Sequence, residues 1–116
     1  MKSTMSYFYR AAAWAGVIDK DNALQLAARG GRTHTVTALL EAGADIHAGD
    51  DEPLRIAAWW GRTDTVRALL KGGADIHARH DEALRWAAKE KHMETVKLLE
   101  DWMSRRQRPP PPPQPT

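Results

Sequence analysis

The feature that most constrains this chain is a repeat of 30 residues. Residues 21–50 and 51–80 are identical at 18 of 30 positions without a gap, and residues 81–103 continue in the same register. Self-similarity at such a period is typical of solenoids, in which each unit buries its apolar face against its neighbours. We therefore predict a stack of three similar units.

Each unit predicts two short helices. In the second unit, Leu54, Ala57 and Ala58 have helical spacing, and Gly61 ends the first helix. A second helix is expected from Thr63 to Lys71, followed by an extended connector into the next unit. Aspartate is a good N-cap residue, and the predicted N-caps of the first helices are Asp21, Asp51 and Asp81.

The phrases ALQLAARGGRTHTVTALLEAGADIHA and PLRIAAWWGRTDTVRALLKGGADIHA resemble ankyrin repeats. The resemblance covers residues 21–103 and implies an all-α solenoid of helix-turn-helix units. The family's usual period is 33 residues, so the period of 30 implies shortened β-hairpin fingers, reduced to a turn. Short units of this kind are similar to those of ankyrin proteins from large DNA viruses, phages and bacteria.

Two positions depart from the family pattern in each of the later units. Glu52 and Glu82 replace its threonine, and Arg55 and Arg85 replace its histidine. We expect pairing between glutamate and arginine to take the place of the family's threonine–histidine hydrogen bonds.

The ends of the chain differ from the repeats. Residues 1–20 are expected to form a capping helix and connector, residues 21–103 the three repeats (21–50, 51–80 and 81–103), and residues 104–116 an Arg/Pro-rich tail. Lys91 and Glu100 replace a glycine and a leucine of the earlier units, which suits an end exposed to water. Trp102 is expected to follow the last helix and close that end of the core.

Composition and motifs exclude several classes of function. The chain has no cysteine, and no zinc-protease motif, phosphate-binding glycine loop or nucleophile elbow, so we expect no enzyme, cofactor or metal. His47 and His77 occupy a connector position where the resemblance implies a side chain bonded to the backbone. No apolar run is long enough for a membrane span, and the protein is expected to be an intracellular monomer, in the cytoplasm or, if viral, in that of the host.

Trp59 and Trp60 occupy two positions that tolerate very different residues. The first unit has Arg29-Gly30 there and the third has Lys89-Glu90, so these are not core positions. The resemblance places them on the concave face, where family members contact partners, and tryptophan is enriched among interface hot spots. Trp86, in contrast, replaces Leu26 and Ile56 at what we interpret as an inward-facing position.

We therefore expect a non-catalytic protein-binding module, acting as an adaptor or as a stoichiometric inhibitor. One alternative is nucleic-acid binding through arginine and tryptophan, which the near-neutral repeats disfavour; another is a structural or dimerising component of a larger assembly. The predicted partner-binding residues are Trp59, Trp60, Arg29, Lys89, Glu90, Arg79, His80 and Asp50.

The tail combines arginine with consecutive prolines, which favour an extended polyproline II conformation. Three interpretations stay open: a ligand for SH3, WW or profilin-type grooves, a stiff spacer, or an unstructured end without a task. The residues concerned are Arg105, Arg106, Arg108, Pro109, Pro110, Pro111, Pro112 and Pro113.

Overall fold

The computed structural model describes residues 19–107 and the single residue Pro113. Residues 19–107 are all-α, as predicted, and contain no β-strand. No helix in this part of the chain is long and apolar enough to cross a bilayer. The capping helix predicted within residues 1–20 lies largely outside the described residues. The prolines of residues 109–112 lie wholly outside them. The helices of residues 19–107 are α1 Lys20–Gly30, α2 Thr33–Glu41, α3 Ala48–Trp59, α4 Thr63–Lys71, α5 Ala78–Lys89 and α6 Met93–Gln107.

The helices form two parallel rows. The first helices α1, α3 and α5 pack on one another in sequence, as do the second helices α2, α4 and α6, and each first helix also packs on its own second helix. The shared core consists of Val36, Leu39, Val66, Leu69, Leu70, Val96 and Leu99 from the second helices, together with the leucines and alanines of the first helices. The predicted stack of three units is therefore present.

Alanine pairs let the first helices approach closely. Ala28, Ala57 and Ala58 have no exposed surface, and Ala27 is only 4% exposed. In the last unit Ala87 is buried whereas Ala88 is exposed, because no further described helix packs on that side. The exposed methyl group of Ala88 thus marks the C-terminal end of the described stack.

The turns that replace the hairpin fingers have an unusual backbone. Gly49, Asp50 and Asp51 all have positive φ, at 65°, 59° and 59°, so the right-handed part of α3 begins at residue 52. The equivalent residues 79–81 repeat this left-handed turn without any glycine. A left-handed conformation costs roughly 1–2 kcal/mol for each non-glycine residue, so contacts elsewhere must offset it.

Arginine side chains bind the carbonyls of these turns. Arg55 donates from Nε to the Asp50 carbonyl at 3.0 Å and from Nη2 to the Gly49 carbonyl at 2.6 Å. Arg85 makes the same pair of hydrogen bonds one unit later, at 3.0 Å each. Arg55 is also 3.4 Å from the buried carboxylate of Glu82. The expected Glu/Arg pairing therefore occurs between the second and third units.

The aspartates at the unit boundaries bind neighbouring connectors instead of capping helices. The N-cap of α1 is Asp19, which accepts from the backbone N–H groups of Asp21 and Asn22. Asp21 accepts from the N–H of Asp45, and Asp51 from that of Asp75, at 2.7 Å in both cases. The N-cap role predicted for Asp21 and Asp51 is wrong, and the same holds for Asp81, because α5 has no side-chain cap.

The connector histidines bind carboxylates, not backbone. His47 Nδ1 donates to Asp51 at 2.9 Å, and His77 Nδ1 donates to Asp81 at 2.6 Å. The hydrogen bond to Asp51 raises the pKa of His47 above its ordinary value. Burial opposes this rise, and the negative charges of Asp51, Asp45 and Asp75 add to it. The expected bond from the imidazole to the connector backbone is therefore wrong.

The C-terminal end of the stack is polar, as predicted, but its last helix is longer. Glu100 and Lys91 are exposed, and Lys91 keeps the left-handed φ (61°) that Gly61 has one unit earlier. Helix α6 continues through Trp102, which is half-buried against the core, to Gln107. Trp102 thus lies within the helix and not after it, and Arg105 in the same helix pairs with Asp101 at 3.0 Å.

Replacing Arg55 by methionine should destabilise the stack more than the same change at Arg85. Arg55→Met leaves the carboxylate of Glu82 buried without its cation and removes the donors to two turn carbonyls, so we expect a loss of about 3 kcal/mol in the free energy of unfolding. Arg85 is exposed, and Arg85→Met should cost about 1 kcal/mol. Urea denaturation followed by circular dichroism measures both, and equal losses would contradict a special role for the buried pair.

The pKa of His47 should depend on Asp51. Because its folded-state pKa is raised, the stabilisation from protonated His47 is complete below the ordinary imidazole pKa and is lost as the pH rises through the folded-state value. In an NMR titration we expect Asp51→Asn to lower the pKa of His47, since the amide keeps an acceptor oxygen but not the charge. Asp64→Asn, an exposed change on α4, is the control that should leave it unchanged.

Candidate functional site

The two adjacent tryptophans have different environments. Trp59 is half-buried, and its ring meets that of Trp86 edge to face, with centroids 5.0 Å apart and planes at 82°. The guanidinium of Arg55 lies 5.6 Å from the Trp86 ring centroid. Trp59 is thus mainly a packing contact between the second and third units, through a favourable aromatic geometry.

Trp60 is one of the large apolar side chains left in contact with water. It is 44% exposed, and the guanidinium carbon of Arg29 lies 5.2 Å from its ring centroid, in cation–π contact. Leu26, on the preceding first helix, is 58% exposed. The first two units therefore present an aromatic and an aliphatic side chain together.

These side chains line an open groove of about 620 Å³, which we call the Leu26–Trp60 groove. Its walls come from α1, from the start of α2 and from the turn that follows α3. We call its apolar lining residues its floor and its three lining arginines its rim. The lining residues are Ala23, Leu26, Ala27, Arg29, Gly30, Arg32, Thr35, Trp60 and Arg62.

Arg62 joins the two units that form the groove. Its Nε donates to the carbonyl of Arg29 at 3.0 Å, which satisfies an acceptor near the C-terminus of α1. Gly31 leaves room for this side chain, because a Cβ there would lie 2.8 Å from Arg62 Cδ and the residue has a φ of 70°. One unit later His92 Nε2 donates to the carbonyl of Trp59 at 2.9 Å in the same way. The walls of the groove are therefore held in register by a hydrogen bond between units.

The predicted partner-binding residues fall into two groups. Lys89 and Glu90 are exposed at the C-terminal end of their first helix, as Arg29 and Trp60 are at the ends of theirs. Asp50, Arg79 and His80 lie at the opposite end, beyond a helix of about 12 Å. Arg79 Nε is 3.4 Å from the carboxylate of Asp50, so these two residues bridge successive turns. The structure does not bring this second group to the tryptophans.

The inward-facing role assigned to Leu26, Ile56 and Trp86 is wrong. Leu26 is exposed and the other two are only partly buried. The ring of Trp86 instead packs on Trp59 of the preceding unit. Leu26, Arg32 and Arg62 are groove residues that the sequence analysis missed. The sequence did not single out Arg32 and Arg62 because they are identical at equivalent positions of adjacent units. Such identity is also expected of residues with a purely structural role.

The connector edge has a second polar groove that contains His47, His77, Asp51 and Asp75. The side chains of His47, Asp51 and His77 are bonded in the pairs described above, and the carboxylate of Asp75 accepts from the backbone N–H of His77 at 2.9 Å. Within residues 19–107, no three histidine, aspartate or glutamate side chains form a group able to hold a metal ion. The histidines of this edge are accounted for by structural contacts.

The family comparison agrees with this architecture. A family model for ankyrin repeats, in three copies, matches residues 5–80, which is more than half of the chain. The match begins within the segment assigned to the capping helix and ends before the third two-helix unit. No curated protein matches the chain significantly.

Substitution of the packed Trp59 should lower the free energy of unfolding more than substitution of the exposed Trp60. Trp59→Ala removes the contact with Trp86 and is expected to lower the free energy of unfolding by about 2 kcal/mol. Trp60→Ala removes an exposed ring and one cation–π contact, and should cost less than about 1 kcal/mol. Chemical denaturation of the two single variants tests this, and a larger loss for Trp60→Ala would show that the exposed ring has a structural role instead.

Proposed function

We propose, from the premise that this chain belongs to the ankyrin-repeat family, that it binds another protein without catalysis through the first-helix face of its stack. Ankyrin repeats are in general non-catalytic protein–protein interaction modules. The specific site that we propose is the Leu26–Trp60 groove, on the face that the resemblance identifies as concave. Binding is stoichiometric, so the protein acts as an adaptor or as an inhibitor that covers a surface of a larger partner.

The observation that carries this proposal is the pairing of exposed Trp60 with exposed Leu26. Single exposed apolar side chains are common on protein surfaces, whereas exposed apolar side chains that line the same groove mark an interaction site. An apolar centre with a charged rim is also the usual anatomy of a protein interface. Since Trp59 is used to pack the second unit on the third, Trp60 is the better candidate for a hot spot.

Nucleic-acid binding has less support. The guanidinium of Arg55 is buried against Glu82 and two turn carbonyls, and Arg79 is paired with Asp50. Arg85 donates to two carbonyls of its own turn. Affinity for nucleic acid depends on cations that can neutralise phosphates, and these three arginines already have partners within the chain.

Affinity capture from the native cells with single variants tests the proposal. Trp60→Ala should remove most of the captured partner, because a hot-spot residue typically contributes more than about tenfold in affinity. Met93→Ala is the matched control: Met93 is 66% exposed and lies in the third unit, outside the groove. Capture that is equal for wild type and Trp60→Ala would overturn the proposal. Light scattering on both proteins would reveal a dimer joined through Trp60, which is the structural alternative.

A further inference from the structure

We propose that the partner segment bound in the Leu26–Trp60 groove is acidic, with a hydrophobic side chain flanked by aspartate or glutamate. This inference rests on the proposed function and adds the chemistry of the partner to it. The hydrophobic side chain would occupy the floor between Leu26 and Trp60, and the flanking carboxylates would meet the arginine rim.

The charged residues known to line the groove are all of one sign. Arg29, Arg32 and Arg62 line it and are all exposed, and among the described residues that line it none is aspartate or glutamate. An apolar segment without charge would leave three guanidinium groups beside a dehydrated surface. Carboxylates at the rim would instead form charge-assisted hydrogen bonds with them, for which the planar guanidinium is well suited.

Two of these arginines are positioned to receive a ligand. Arg62 is fixed across the boundary between units by the hydrogen bond from Nε to the Arg29 carbonyl, and a side chain held in place loses less entropy on binding. Arg29 is placed over the Trp60 ring by its cation–π contact. The rim is therefore partly preorganised in the unbound chain.

The chain's own ends do not have the composition of this ligand. Residues 1–18 contain Lys2 and Arg10 and no acidic residue. Residues 104–116 contain three arginines and no acidic residue. Neither of these two segments offers acidic side chains to the arginines, so we propose a segment of a different protein as the occupant.

The geometry favours an acidic peptide over a nucleic acid. A nucleic-acid strand needs a cationic track along its backbone, whereas here three arginines line one small groove together with apolar side chains. The connector edge at the other end of the first helices contains carboxylates, among them Asp50 and Asp75. The cationic surface of the described residues therefore does not continue from the groove across that edge.

Selection of a random peptide library displayed on phage against the full-length chain tests the inference. We expect enrichment of peptides with leucine or an aromatic residue flanked by aspartate or glutamate. A synthetic copy of the most enriched peptide is then compared with a version in which its acidic residues are replaced by asparagine and glutamine. The neutral version should bind at least about tenfold more weakly, and binding of the acidic one should weaken as salt is raised.

Three variants assign the effect to the groove. Trp60→Ala should weaken peptide binding more than about tenfold, and Arg32→Glu, an exposed charge reversal at the rim, should weaken it about tenfold. Lys97→Glu makes the same charge reversal on α6, outside the groove, and should change affinity less than about twofold. Circular dichroism confirms that each variant is folded before affinity is compared.

Each contrary outcome has a distinct meaning. Selected peptides that need Trp60 but show no preference for acidic residues would overturn this inference and leave the proposed function standing. Peptides that bind equally well to Trp60→Ala would overturn both. The inference is also overturned if no peptide is enriched, if an oligodeoxythymidine binds through Trp60 more tightly than the selected peptide, or if the chain self-associates through Trp60.

Discussion

Ala27 and Ala28 in one first helix and Ala57 and Ala58 in the next lie buried in two helices that pack on each other, and side chains of this size allow the close spacing on which the stack depends. At this distance, polar groups of successive units come within hydrogen-bonding range. Arg62 reaches the carbonyl of Arg29, and the hydroxyl groups of Thr33 and Thr65 are 2.9 Å apart, as Thr63 and Thr95 are at 2.8 Å. A larger side chain in the alanine row would separate the units and break these bonds together, because interiors are close-packed and tolerate little added volume.

The shortened period depends on side chains that donate hydrogen bonds to the energetically unfavourable left-handed backbone of the turns. Three consecutive left-handed residues replace each hairpin finger, and two of their three carbonyls accept hydrogen bonds from Arg55 or Arg85. The boundary aspartates then join each turn to the following connector, as Asp51 does with the backbone of Asp75. The positions at which this chain departs from the family pattern are thus the positions that hold its shorter turn together.

The sequence predicted the architecture well because equivalent positions in successive units must have equivalent surroundings. Helix α4 has the bounds expected from its apolar spacing, and the variable position of Trp60 is indeed exposed. Periodicity does not say which way an apolar position faces, so Leu26 was assigned to the interior although it lies on the surface. Nor does it distinguish a helix cap from a bond to the next unit, and for this reason the partner of Asp51 could not be predicted. Both errors concern contacts between units, whose geometry depends on how the helices are stacked.

The residues that line the groove are of two kinds. Some of them only line it, whereas Arg62 also connects two units, and this difference decides which residues can be substituted without loss of stability. Leu26, Arg29 and Trp60 are exposed, so we expect substitutions there to change recognition by the proposed site at small cost in stability. Arg62 is different, because the same side chain that lines the groove also holds the Arg29 carbonyl of the preceding unit. A substitution of Arg62 would therefore change the groove and the contact between units together. Arg32, the equivalent residue of the preceding unit, lines the groove as well, so identity between units does not by itself exclude a residue from the proposed binding site.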